Sequence, residues 1–198
     1  MEQQKSLSEG SLSLLPDNNS RDNRFKIAIF GDVGTGKTCI FSQYSEKKFN
    51  SKYEPTIGVE FASKDIVLED EMVRLQIWDL SGQPAYLSIR SPYLKGSKGV
   101  LLCYDVTNRT SLENLATLIK AIKDLAKWAP EIVLIGNKCD LEKFRVVSKE
   151  EGQEFAKKND FLFLETSALD STNVELAFHF LAMKVYNKER KLSKKEAN

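Results

Sequence analysis

The 198-residue chain has only three cysteines, Cys39, Cys103 and Cys139, and a single histidine, His179. Three cysteines cannot build a disulfide framework, and they show no paired metal-ligand spacing. One histidine, in a stretch with no catalytic partner, argues against a His-based triad or a zinc hydrolase. Charge of one sign is missing too: Lys+Arg is 29 against Asp+Glu 28, for a net charge of +1. No global field draws nucleic acid, and no nucleic-acid partner is expected. No run approaches the ~18 apolar residues of a membrane span. The opening Met1–Lys5 has neither a signal-type apolar region nor a Gly at position 2, so secretion and myristoylation are not expected. What remains is an ordinary globular balance of 41% hydrophobic and 29% charged residues, in a length that suits one domain.

Residues 1–24 read as a polar tail rich in Ser, Asn and Asp, with Leu12, Leu14 and Leu15 as its only apolar cluster. They form a disordered leader or a short docking segment. From Phe25 the texture changes. Phe25–Phe30 is an apolar run that stops at Gly31, as a buried strand does. A helical stretch from Lys37 to about Ser45 follows. Val59–Leu68 and Met72–Trp78 read as an antiparallel hairpin, because Val73, Leu75 and Ile77 alternate with Arg74 and Gln76 and the connection is short. Gly99–Asp105, Ile132–Gly136 and Phe161–Leu164 are short apolar strands. Helical patterns lie at Leu112–Trp128, Ser148–Lys158 and from Val174 to about Lys188. Strands separated by helices predict an α/β fold, a mostly parallel sheet with helices on both faces.

Gly31-Asp32-Val33-Gly34-Thr35-Gly36-Lys37-Thr38 fits G-x-x-x-x-G-K-[ST] between a strand and a helix. Backbone N–H groups that glycine leaves bare wrap phosphate oxygens, and the helix N-terminus adds partial positive charge. Lys37 reaches the terminal phosphates and the Thr38 hydroxyl coordinates Mg²⁺. Asn137-Lys138-Cys139-Asp140 follows a strand, at the carboxyl end where open α/β sheets bind ligands. A carboxylate at Asp140 accepts from guanine N1–H and the exocyclic amine; adenine offers it a lone pair instead. Glu165-Thr166-Ser167-Ala168 follows the next strand.

These motifs resemble the Ras superfamily of small GTPases, the Rab branch in particular, over about Phe25 to Asn187. The resemblance implies the P-loop NTPase fold of small G proteins, with a six-stranded, mostly parallel sheet, one antiparallel edge strand and about five helices. It implies GTP or GDP as bound nucleotide with Mg²⁺, and slow GTP hydrolysis. The phosphate loop through Cys39 would line the nucleotide, and Phe49, eleven residues after Thr38, matches the aromatic that packs on guanine. Thr56 would sense the γ-phosphate and Mg²⁺. Asp79, opening Asp79-Leu80-Ser81-Gly82-Gln83, would hold Mg²⁺ with Thr38 and Thr56. The Gly82 N–H would meet the γ-phosphate. Gln83 would orient the attacking water, with Lys37 and Thr56 completing the catalytic set. Asn137, Lys138, Asp140, Ser167, Ala168 and Leu169 would surround the base. Ile57–Phe61, Arg74–Asp79 and Tyr93–Gly96 match Rab stretches. Phe61, Trp78 and Tyr93 match the Rab aromatic triad, as effector surface or simply as core aromatics. Exchange factor, activating protein and effectors are the implied partners. The chain is expected to be a monomer in the cytoplasm, or on the cytoplasmic face of endomembranes, serving vesicle transport.

The chain departs from the family pattern at several points. Val33 replaces a small residue near the γ-phosphate, where a branched side chain crowds Gln83 and any incoming arginine; slow, poorly stimulated hydrolysis is expected. Pro84 follows Gln83 and either preorients it or holds it off the water. Leu80 and Ser81 replace Thr-Ala, and Leu169 stands where Lys is usual. No Cys follows Cys139, so no prenyl acceptor is expected near the end and membrane contact is left open. Lys184–Asn198 carries six basic residues against two acidic ones, and 188–198 reads as a solvated basic tail. A soluble, Ras-like GTP-binding adaptor with little hydrolysis is the alternative function.

Overall fold

The computed structural model describes residues 23–51, 55–83, 92–125 and 129–196. The leader 1–22, Tyr53, Pro84, residues 84–91 of the stretch where a helix is expected after Gln83, and Trp128 lie outside these residues. The strands are β1 (Arg24–Gly31), β2 (Val59–Leu68), β3 (Glu71–Leu80), β4 (Gly99–Asp105), β5 (Glu131–Asn137) and β6 (Leu162–Thr166). Five α-helices lie wholly among the described residues: α1 (Lys37–Glu46), α2 (Arg109–Glu113), α3 (Leu115–Leu125), α4 (Lys149–Lys158) and α5 (Val174–Glu196); residues 92–94 form a further helical turn. One sheet holds all six strands in the order β2-β3-β1-β4-β5-β6. Only β2 and β3 pair antiparallel. Glu69 and Asp70 turn the hairpin, both at positive φ, which matches the twist of the flanking strands.

Strand residues of alternate parity feed two cores. Ile27, Ile29, Leu75, Ile77, Leu101 and Val133 pack with α1 and α5, where Tyr44 stacks on Phe178 at a centroid distance of 3.7 Å. Ala28, Phe30, Val100, Leu102 and Leu134 pack with Leu112, Leu115, Ile119 and Ala156 from α2, α3 and α4. Central β4 is buried at every position because helices cover it on both sides. Ser148 starts α4 with a reciprocal capping box to Glu151.

Two helix boundaries differ from expectation. The helix expected from Leu112 is split at Asn114, which separates α2 from α3; Asn is a weak helix former, and its side-chain amide donates to Asp32 at 2.7 Å. The last helix runs past Lys188 to Glu196. Long-range pairs hold its outer part, with Glu189 accepting from Lys98 Nζ at 2.7 Å and Arg190 pairing with Glu69 at 3.4 Å. The 188–198 stretch is therefore helical through Glu196 rather than a free tail.

Candidate nucleotide-binding site

The carboxyl ends of β1, β3, β4, β5 and β6 lie side by side in the sheet, and the sequence motifs sit on the loops that leave them. The β1 loop runs from Gly31 to α1. A Cβ at Gly31 would fall on the Cys103 carbonyl, and one at Gly36 on Asn137 Nδ2. Gly36 also holds φ 83°, a conformation that disfavours L side chains. Among the described residues α1 has neither a side-chain cap nor an acidic residue in its first turn, so nothing there competes with an anion for its N–H groups. Lys37 is 5% exposed and donates to the Asp32 carbonyl at 2.7 Å. Thr35 Oγ1 donates to the same carbonyl at 3.0 Å. Val33 stands at the loop crest, 39% exposed.

Thr38, Thr56 and Asp79 meet beside this loop. Thr38 Oγ1 donates to Asp79 Oδ2 at 2.5 Å and lies 2.5 Å from Thr56 Oγ1. Thr38 has one hydroxyl proton, so the Thr56 hydroxyl is the donor between the two threonines. Burial pushes the Asp79 carboxyl up to about 6, against the opposing pull of Thr38 and Lys37. Asp79 Oδ1 is buried with no hydrogen-bond partner among the described residues. Two hydroxyls and a carboxylate with a spare oxygen form a hard donor set of the kind a Mg²⁺ ion takes. Gly82 is pressed against the phosphate loop: a Cβ there would sit 2.7 Å from the Asp32 carbonyl and from Lys37 Nζ. The Gln83 N–H donates to Ser81 Oγ at 3.4 Å.

Asn137 joins the second half of the site to the first. Its Nδ2 donates to the Thr35 carbonyl at 2.8 Å, and its Oδ1 accepts from Thr166 Oγ1 at 3.0 Å. The Cys139 N–H donates to the Thr166 carbonyl at 3.1 Å, which ties the β5 and β6 loops together. Lys138, at φ 67°, pairs with Asp105 at 2.6 Å. Asp140 is exposed, whereas Ser167 and Ala168 are buried beside the loop. Burial raises the thiols of Cys39 and Cys139, so neither is an activated nucleophile. Phe49 and Leu169 lie outside this hydrogen-bond network as exposed apolar side chains.

Thr166, within the motif read at the end of β6, fixes Asn137. Sequence motifs gave no notice of three supports. Asp105 fixes Lys138, and Arg145 holds Glu165 at 2.6 Å. Asn114 reaches Asp32 at 2.7 Å. The one available signal was Asn114 itself, a poor helix former inside a helical pattern. On the sheet face next to the site, Trp78 contacts both Phe61 (4.6 Å) and Tyr93 (5.0 Å), and Phe61 is 49% exposed. Among the described residues no helix is long and apolar enough to cross a membrane.

The Ras family model matches residues 26–187. Ras-related protein Rab-13 of Canis lupus familiaris is 41% identical over 161 residues, covering 81% of this chain and 79% of the relative. Its counterparts in Rattus norvegicus and Mesocricetus auratus are each 40% identical with the same coverage. Members of this family bind GTP and GDP and act as switches. With the family pattern matched across the whole sheet and its loops, the chain belongs to the Ras family and is a Rab-like small GTPase.

Proposed function

We propose that residues 25–187 bind a guanine nucleotide with Mg²⁺ and hydrolyse GTP slowly, as a timed switch in intracellular vesicle transport. The observation that carries this reading is the meeting of Thr38, Thr56 and Asp79 beside the buried Lys37 ammonium. Thr38, Thr56 and Asp79 would hold Mg²⁺, which when bound neutralises charge developing on the phosphate oxygens. Lys37 exchanges its contact with the Asp32 carbonyl for the terminal phosphates. The Gly82 N–H binds the γ-phosphate, and Gln83 orients water for in-line attack. A water oxygen–phosphorus bond forms and the bond to the β-phosphate oxygen breaks, releasing GDP and phosphate.

Thr56 and Gly82 lie on separate loops, so loss of the γ-phosphate frees both, and the surface around Phe61, Trp78 and Tyr93 changes for effectors. An exchange factor and an activating protein would set the rates. The Rab likeness supports action at the cytoplasmic face of endomembranes. The exposed Val33 at the loop crest favours a second reading, an adaptor that binds GTP and scarcely hydrolyses it.

Asp140→Asn tests the base assignment. The change replaces an acceptor of two guanine donors with an amide, and each charge-assisted bond contributes about 1.5–3 kcal/mol. Affinity for GDP should fall by about 10³-fold or more, and xanthosine diphosphate, which presents a carbonyl in place of the amine, should bind better than GDP. Unchanged GDP affinity, or ATP displacing GDP at comparable concentration, would overturn the reading.

A further inference from the structure

We infer that Asn114 is a positioning residue that clamps the crest of the phosphate loop through Asp32, so that the site retains a nucleoside triphosphate in preference to a diphosphate. The inference rests on the reading above that this loop holds phosphates.

Asp32 is the hub of the crest. Its side chain accepts from the Val33 N–H at 2.8 Å and from Asn114 Nδ2 at 2.7 Å. Its carbonyl accepts from Lys37 Nζ and Thr35 Oγ1. Its main chain is also the surface against which Gly82 packs, since a Cβ on Gly82 would lie 2.7 Å from the Asp32 carbonyl carbon and oxygen. A shift of Asp32 thus moves the crest and the seat of the Gly82–Gln83 loop together.

Asn114 is well placed to prevent that shift. It sits at the joint of α2 and α3 between buried Leu112 and Leu115, and its own N–H donates to the Thr110 carbonyl. The preceding turn is pinned by Ser111, which accepts from the Asp105 N–H at 2.9 Å and donates to the Asn108 carbonyl at 2.6 Å. The amide therefore projects from a rigid base.

The loop has two separate anchors. Asn137 holds Thr35, toward the base-binding loops, and Asn114 holds Asp32, at the crest beside Val33. Releasing the crest leaves the Asn137 anchor intact, so the loss falls on the terminal phosphate rather than on the nucleotide as a whole. The contact is to a carboxylate, which strengthens it, but it is solvent-exposed, which weakens it.

The test measures release of a fluorescent diphosphate (GDP) and of a non-hydrolysable GTP analogue from the full chain with Mg²⁺. Four proteins are compared: wild type, Asn114→Ala, Asn114→Asp, and the double variant Asp32→Asn/Asn114→Asp. Loss of the donor in Asn114→Ala should speed analogue release about threefold, and like charges in Asn114→Asp about tenfold, while GDP release changes by no more than about twofold. In the double variant the polarity of the pair is reversed. The new amide at position 32 still accepts from the Val33 N–H and donates to the new carboxylate at position 114, so the release ratio should return to within about twofold of wild type. A merely structural role would speed both nucleotides equally, and that result overturns the inference. An unchanged ratio in both single variants, or a double variant as impaired as Asn114→Asp, overturns it as well. A wild type that retains neither nucleotide would refute the nucleotide-binding reading itself, and the clamp with it; a wild type that retains both while the ratio stays fixed refutes the clamp alone.

Discussion

Substitution of Gly36 by Ala should separate the two halves of the site. At φ 83° the residue lies where an L side chain costs about 1–2 kcal/mol. The added methyl falls on Asn137 Nδ2, the donor that holds the Thr35 carbonyl. Asn137 is 1% exposed, so once displaced it leaves a buried donor and acceptor unmatched, at a further cost of about 1–3 kcal/mol. The total of about 2–5 kcal/mol corresponds, at ~2–4 °C per kcal/mol for a domain of this size, to a fall in melting temperature of at least about 4 °C. Because Asn137 also links the β5 loop to Thr166, the base loop shifts with it, and GDP should leave about tenfold faster or more. Thermal unfolding with and without nucleotide, and release of fluorescent GDP, measure the two effects. A melting temperature within about 1 °C of wild type with unchanged GDP release would refute the claim that Gly36 leaves room for Asn137.

Two further predictions concern the frame around the site. Phe178→Ala removes a fully buried ring stacked on Tyr44 and should cost about 3–5 kcal/mol in urea unfolding; a loss under about 1 kcal/mol would mean that α5 repacks without it. Glu151 is held down to about 2, first by the Arg109 guanidinium and then by the Ser148 N–H. A depressed carboxylate stabilises the fold fully above its ordinary value of 4.5 and loses that contribution as pH falls toward 2. Acid unfolding of Glu151→Gln should thus run below wild type at neutral pH and converge with it near pH 2, and a constant gap would count against the pairing.

Much of the fold follows from local pattern. β2 and β4 span the residues expected from their apolar runs, and the phosphate loop lies between strand and helix as its spacing requires. The strands β3, β5 and β6 differ from expectation by a few residues at their ends, where pairing partners extend the ladder beyond the apolar run. The joint at Asn114 was legible only as a poor helix former inside a helical pattern, and the extension of α5 not at all, because both depend on partners remote in sequence. Asn114 meets a residue 82 positions away, and Lys98 meets Glu189 across 91 positions. For the same reason motif spacing locates Asn137 and Asp79 but says nothing of the contacts that orient them. The bond from Asn137 to Thr35 spans 102 positions, and the one from Thr38 to Asp79 spans 41.

Single-turnover cleavage of pre-bound GTP with Mg²⁺, run on wild type and Val33→Gly beside an ATP control, tests the central claim most directly. Val33 stands exposed at the loop crest next to the loop that carries Gln83. The expected result is slow GTP cleavage by wild type, about tenfold or more faster in Val33→Gly, with no cleavage of ATP. ATP cleaved at the GTP rate, or no GTP cleaved by either protein, would contradict it.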